Sequence, residues 1–481
     1  MRLPRFVSSL LLLPALALAA EKSASIPITT SSAEARALYL EGRDLVERLK
    51  GTEAFLRTEK AVAKDPQFAL AWLQLAGTSG TAQQFLSALE KAVANLGHAS
   101  EGEQLLIRAA DAGNKSRPAE QEQLLKTLVE KFPNDPRAHA QLGFVYFGRQ
   151  DWAGSIRELS RSAELDPKYT LAYNQLGYSY RFQGKFAEAE QTFKKYAEVL
   201  PDDPNPHDSY AELLMELGRF DESIDQYRKA LAIDPYFVSA YVGIANNQMF
   251  AGKGDEARAT LKQMQSKARN DGEKRLTWFW TAESYMHEGR WTDAIHSIEE
   301  EKKIADASGD LVSASQDVNF IANLLLSAGK PEEARKKFEE SLALISKAKA
   351  SEPVKEAARR NHLFDLARVA LAKGDLAGAK ATAAKYSTAV QAKQVPFEVR
   401  QAHQLAGMVA VQAKEWDAAL AELAQAGEQN PRVIYFTGLA WQGKGDATKA
   451  AAAFKHAAEF YQLNGIYGFV RQDARRQLAR S

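Results

Sequence analysis

The feature that most constrains this chain is a period of 34 residues, running without a gap from about Pro136 to Asp271. A fixed period of that length marks a repeat array, in which each unit buries its apolar face on the next and no single large core is needed. One unit runs from Thr170 to Asp203, with Leu176-Gly177 in a first helix, Gly184-Lys185-Phe186 at the turn, Ala189 in a second helix and Leu200-Pro201 at its end. Leu142-Gly143, Trp152 and Asp166-Pro167 mark the preceding unit, and Ala211, Gly218-Arg219-Phe220, Ser223 and Asp234-Pro235 the following one. The small residues Gly143, Gly177, Ala211 and Ala245 stand where a bulky side chain would hold two helices apart. Glycine at the turn accepts the left-handed conformation that ends a helix. Proline after the second helix stops it and suits the first turn of the next. The expectation is a stack of antiparallel helix pairs.

These residues resemble the tetratricopeptide-repeat family, whose 34-residue helix-turn-helix units stack into a right-handed superhelix. The likeness covers nearly the whole chain after its first 34 residues, with units beginning near Ala35, Ala69, Gly102, Pro136, Thr170, Pro204, Val238, Arg275, Ser315, Arg360, Arg400 and Pro431. It implies an all-α solenoid of about eleven to twelve pairs, divided into an array over 35–308, a divergent array over 315–464 and a capping helix over 465–481. Later units depart from the pattern: Pro331 and Leu376 replace the turn aromatic, and insertions near Gly272, Asp310 and 351–359 place a bend or break at 309–314. The last helix, rich in Arg and Gln, reads as a cap facing solvent. The stretches Leu38-Tyr39-Leu40-Glu41-Gly42-Arg43 and Ala63-Lys64-Asp65-Pro66-Gln67-Phe68-Ala69-Leu70-Ala71 resemble repeats attached to bacterial signalling proteins, which implies a bacterial envelope or secreted setting.

Residues 1–20 read as a secretory signal peptide: Arg2 and Arg5 precede an apolar run from Phe6 to Leu18 that ends in Ala19 and Ala20. The run is shorter than the roughly twenty residues a membrane helix needs, and 21–34 reads as a flexible polar segment without a stop-transfer pattern. Cleavage after Ala19 or Ala20 would leave an exported, periplasmic or secreted chain with no integral anchor. There is no cysteine, so neither disulfides nor a cysteine-linked lipid is available. Without the leader, 60 basic residues face 61 acidic ones, interspersed along helices. Nucleic-acid binders concentrate positive charge on one face, and no such footprint is visible.

No catalytic, metal or cofactor motif emerges. G-x-S-x-G and H-E-x-x-H are absent, and no phosphate-binding glycine loop follows a strand. Ser346-Lys347-Ala348-Lys349 satisfies S-x-x-K without its companion motifs, and Arg43-Asp44-Leu45 mimics part of a kinase loop without the rest of it. His287 and His296 fall on two helices of one unit with no third ligand in view. The expectation is a protein that is not an enzyme and carries no cofactor.

In the family the first helix of each pair lines the concave surface, and the repeat register then names the residues facing it. They are Asn174, Tyr178, Arg181 and Phe182; Asn205, Asp208 and Glu212; Asn246, Met249 and Phe250; Phe279, Glu283, Met286 and His287; and Asn319 and Asn323. Asparagine can donate to and accept from a peptide backbone, while Tyr, Phe and Met supply adaptable apolar contact. Only Arg181 adds a cation, which disfavours a clamp for a terminal carboxylate and favours an extended or helical polypeptide. The reading is an exported protein-interaction scaffold that holds a protein or peptide in its groove; the alternative is a binding module for envelope glycans or small ligands.

Overall fold

The computed structural model describes residues 25–480 apart from Ser116, Gln394 and Glu428. The leader assigned to 1–20, and the first four residues of the 21–34 segment, lie outside the described residues. Among the described residues the chain is all-helical, with twenty-five α-helices in consecutive packed pairs.

Contacts divide the chain at Pro201 and Asp202 into two compact units. The first holds five pairs: α1 (Ala33–Glu47) with α2 (Gly51–Lys64), α3 (Ala69–Gly77) with α4 (Ala82–Ala94), α5 (Glu101–Asn114) with α6 (Pro118–Lys131), α7 (Pro136–Gly148) with α8 (Trp152–Leu165), and α9 (Thr170–Phe182) with α10 (Phe186–Val199). The second holds seven: α11 (Asn205–Glu216) with α12 (Phe220–Ile233), α13 (Val238–Phe250) with α14 (Gly254–Lys267), α15 (Asp271–Met286) with α16 (Trp291–Ser308), α17 (Leu311–Ser327) with α18 (Pro331–Lys347), α19 (Glu352–Ala372) with α20 (Leu376–Gln391), α21 (Pro396–Gln412) with α22 (Trp416–Ala426), and α23 (Pro431–Gly443) with α24 (Ala447–Ala458). A final helix, α25 (Tyr467–Leu478), follows. The all-α helix-pair solenoid expected from the period is what the chain adopts.

The close approach within a pair is visible at Gly177, where a Cβ would fall 2.4 Å from the Phe193 ring of α10, and at Gly143, where it would fall 2.7 Å from Leu159 of α8. The turn after the first helix is left-handed in pair after pair, with φ of 76° at Gly184 and 72° at Gly218. Pro136, Pro331 and Pro431 each open a helix, where the missing amide costs nothing.

The insertions lengthen helices rather than loops. α15, α17, α19 and α21 start four to eight residues ahead of the unit positions read from the repeat. α19 reaches 21 residues, whereas α13 has 13. At 309–314 the chain turns through Gly309 at φ 69°, and Arg275 of α15 forks onto Asp317 of α17 with both contacts at 2.8 Å.

Residues 25–32 carry no helix and are bonded to carboxylates at helix ends. The Ile26 amide donates to Asp135 and the Thr29 amide to Glu103, both at 2.8 Å, and the Thr30 hydroxyl donates to Asp65. Three carboxylates, Asp65, Glu103 and Asp135, accept from this part of the 21–34 segment.

Candidate functional site

Within the first unit the first helices wrap closely enough for the end of α1 to meet α7 and α9. Arg137 forks onto Glu47 at 2.9 and 2.5 Å, and the Thr170 hydroxyl donates to the Glu47 carbonyl. Beside them lies an open pocket of about 380 Å³, apolar along Leu73, Phe85, Leu106 and Leu125, with Arg43 and Arg137 on its wall. Four groove residues belong to this unit. Tyr178 and Phe182 join an aromatic cluster with Trp152, Phe147 and Phe193, in which Trp152 stacks on Phe182 at 5.1 Å. Arg181 is buried with its guanidinium 5.7 Å from the Tyr178 ring, and Asn174 reaches the Tyr196 hydroxyl at 3.5 Å.

The second unit differs, because first helices of its pairs are covered by the chain itself. α25 lies between α13 and α15 on one side and α23 and α24 on the other, sharing one apolar cluster with Met249, Phe250, Trp280, Ile434 and Ala458. Tyr467, Val470, Arg471 and Ala474 are buried, at positions three or four apart that form one helix face. The helix expected as a cap follows the last pair and turns Arg475 and Arg476 to solvent, while its inner face hides Arg471, which composition alone did not signal.

That arginine finds its partners at the end of α13. Arg471 donates to the carbonyls of Met249 at 3.0 Å and Phe250 at 2.7 Å. Carbonyls in a last helical turn lack intrahelical partners and carry the negative end of the helix dipole, so a cation is stabilised there. Gln472 donates to the carbonyl of His287, which caps α15. Gln462, in the connection before α25, donates to Glu216 at the end of α11 at 2.9 Å. The C-terminal segment thus bonds to the same end of three successive first helices.

Beneath it lie six of the sixteen groove residues read from the register: Met249, Phe250, Phe279, Glu283, Met286 and His287. Asn246, Met249, Phe250, Glu283, Met286 and His287 are buried, and Phe279 is half-buried against Trp280 and Phe320. The Asn246 amide donates to Val242 within its own helix. Asn319 donates to Asp365 at 2.9 Å, and Asn323 is joined to Asn319 and Arg368, so these amides serve the fold. Asn205 and Asp208 sit at the start of α11, with Asp208 buried, and Glu212 is half-buried one turn on.

The least satisfied groups are Glu283 and His287. Among the described residues neither carboxylate oxygen of Glu283, nor Nδ1 of His287, has a hydrogen-bond partner, and the two side chains are 4.0 Å apart. Burial holds the Glu283 carboxyl well above the usual range. Burial, with the charges of Arg471 and Arg475, holds the His287 imidazole well below its own. Gly465 and Gly468 face this pair: a Cβ at Gly468 would fall 2.7 Å from Glu283 Oε2.

Register reasoning missed Tyr467, Gly468, Arg471 and Gln472. The signal was the spacing Tyr467, Val470, Arg471, Ala474, an amphipathic stripe disguised by the arginine within it. Among the described residues there is no group of three or more His, Asp or Glu arranged to hold a metal ion, and no helix is long and apolar enough to cross a membrane.

Comparison with known proteins agrees with this architecture. Two tetratricopeptide-repeat models match residues 174–236 and 214–274, supporting assignment of the repeat to that family. The chain is 25% identical over 223 residues to the TPR repeat-containing protein YpiA of Bacillus subtilis, covering 46% of this chain and 50% of that one. It is 26% identical over 220 residues to the peroxisomal targeting signal receptor of Kluyveromyces lactis, covering 44% and 38%. The chain therefore spans about half or less of these relatives' length. Among solved structures, a tetratricopeptide repeat protein from Parabacteroides merdae shares 14% identity with a TM-score of 0.40, covering 55% of this chain and 98% of that one. YrrB, described as a TPR protein with an unusual peptide-binding site, shares 14% with a TM-score of 0.29, covering 37% and 91%. Pairs, period and repeat models together define a tetratricopeptide-type solenoid, a scaffold-type fold consistent with a protein-interaction role.

Proposed function

We propose that this chain is an exported protein-interaction scaffold that binds a partner polypeptide on the concave surface of its repeats. One observation supports the reading: α13 and α15 already hold a helical polypeptide, the chain's own residues 467–478, by apolar contact and by side-chain donors to helix-terminal carbonyls. A surface that packs one amphipathic helix has the shape and the polar groups to pack another. The leader-like residues 1–20 support export, and the exported chain is expected in the periplasm or outside the cell. A role without catalysis accords with the absence of any catalytic motif in the sequence.

The first-unit pocket favours one second reading. Its volume of about 380 Å³ falls within the range of small-molecule sites, and its lining joins leucines to Tyr39, Phe85 and Tyr169 with Arg43 and Arg137 as polar groups, which suits a small ligand with an apolar body. Selection of displayed peptides on the immobilised full chain, run beside a glycan array and an apolar small-molecule panel, separates these. The scaffold reading expects enrichment of amphipathic helical peptides. Retention of glycans or small ligands with no peptide enrichment would overturn it.

A further inference from the structure

The C-terminal segment is built like a ligand. Tyr461 sets its ring against Phe220 at 5.0 Å and Phe250 at 5.6 Å, and Tyr467 lies 5.4 Å from Phe250 and 5.1 Å from His287. Arg471, one helical turn beyond Tyr467, caps α13. Phe469 stacks on Trp291 and meets Phe320, carrying the contact on to α16 and α17. These are the elements of a helix held in a groove: anchors on one face at helical spacing and donors aimed at backbone carbonyls at the end of a receptor helix, where Met249 also accepts from the Gly252 amide.

The fit is incomplete in one place. Glu283 lies under Gly465 and Gly468, which bring no donor to either of its carboxylate oxygens, and His287 Nδ1 beside it is equally unmatched among the described residues. A buried acceptor without a donor is costly, and a helix that brought one would be held more tightly than the resident. A tethered occupant has the advantage of high effective concentration, so displacement needs a better-matched partner or a resident weakened by substitution, as a side chain at Gly468 or loss of Arg471 would weaken it. Glu283 supplies the place where a better match is available.

We propose that the face formed by α13 and α15 is the docking site for a helical segment of a partner protein bearing an aromatic residue and an arginine four residues later. Residues 459–480 are its resident occupant, displaced when the partner binds. This deepens the scaffold reading above and rests on it.

The chain has no cysteine, so a lock can be introduced cleanly. An ideal Cβ at Gly468 lies 3.0 Å from Met286 Cβ, close to the roughly 3.5–4.5 Å of disulfides, so Met286→Cys with Gly468→Cys joins α25 to α15 after a small shift. The probe is a fluorescent synthetic peptide of residues 459–480, titrated by anisotropy into the full-length double variant, oxidised and reduced. The reduced protein is expected to bind at least tenfold more tightly than the oxidised protein. The same peptide carrying Arg471→Ala is expected to lose at least tenfold on the reduced protein. A second variant guards against a lock that perturbs folding: full-length Arg471→Ala, checked for wild-type helicity by circular dichroism, should bind the unmodified peptide at least tenfold more tightly than wild type.

Equal affinity in both redox states, absence of peptide binding by the reduced and Arg471→Ala proteins, or failure of the cysteine pair to oxidise would each overturn the proposal. So would dimers that form on reduction and vanish on oxidation, which would assign the groove to helix exchange between copies. If peptides selected from display bind the locked and unlocked protein alike, the scaffold reading stands and this inference falls. If no polypeptide binds either state, both fall.

Discussion

Replacing Arg471 by alanine isolates the contact that seats the last helix. The guanidinium is buried and gives two hydrogen bonds, of 3.0 and 2.7 Å, to carbonyls at the negative end of α13. Its charge also lies 5.6 Å from the Phe250 ring and 5.7 Å from Tyr467. Hydrogen bonds to a charged group contribute about 1.5–3 kcal/mol net, and removing one partner of a buried charged pair costs about 2–5 kcal/mol. Desolvation of the cation offsets part of the gain, since Nε has no hydrogen-bond partner among the described residues. A loss of about 3 kcal/mol in docking free energy follows, on the order of a hundredfold in the population of undocked helix. Ala474→Cys supplies a buried thiol in an otherwise cysteine-free chain, and its labelling rate reports that population when opening and closing are fast. Arg471→Ala in this background should accelerate labelling about a hundredfold, and Arg471→Lys, which keeps charge but not the fork, by less. An acceleration below about threefold, with overall helicity retained, would show that the arginine does not hold the helix.

Gly177→Leu should destabilise the first unit by roughly 1–3 kcal/mol through overpacking against Phe193; an unchanged melt and unchanged amide exchange in α9 and α10 would refute the packing argument. For Glu283 the folded pKa is raised above the unfolded value near 4.5, so the native state holds the extra proton and stability is lost as pH rises from there toward the folded pKa. The neighbouring His287 is shifted the other way: its contribution is lost on acidification below about 6.5, through the folded pKa. With His287, Arg471 and Arg475 unchanged, Glu283→Gln should raise stability at pH 8 and change it little near pH 4; urea unfolding across that range checks both, and parallel curves would refute the assignment. The exported chain should have an intact mass that begins after Ala19 or Ala20, and recovery of the full precursor in membranes would count against cleavage.

The pairs were legible because their causes are local. Gly184 and Gly218 end helices within their own turns, Gly177 meets Phe193 only sixteen residues away, and Pro136 and Pro431 start helices where they stand. The register also placed Met249, Phe250, Glu283 and His287 on one face, the face that α25 covers. What it could not supply was the cover. The bonds from Arg471 to Met249 and Phe250 join residues more than 220 positions apart, and no local propensity distinguishes an arginine bound for a buried helix end from one facing water. Residues 25–32 hid in the same way, since Asp65, Glu103 and Asp135 each read as ordinary loop or cap carboxylates until the segment is laid across them. The lengthened α15, α17, α19 and α21 escaped because an insertion between periodic units looks alike whether it forms loop or extra helical turn.

Native-state hydrogen exchange of the wild-type full-length protein, resolved over residues 459–480, tests the central claim most directly. If the helix occupies the groove of the second unit, the amides of 470–478 should be protected well beyond the level of an isolated helical peptide. Adding a partner helix should move that protection from α25 to the bound segment while α13 and α15 stay protected. Exchange of 470–478 at free-peptide rates, or protection of α25 that a bound partner helix leaves untouched, would contradict it.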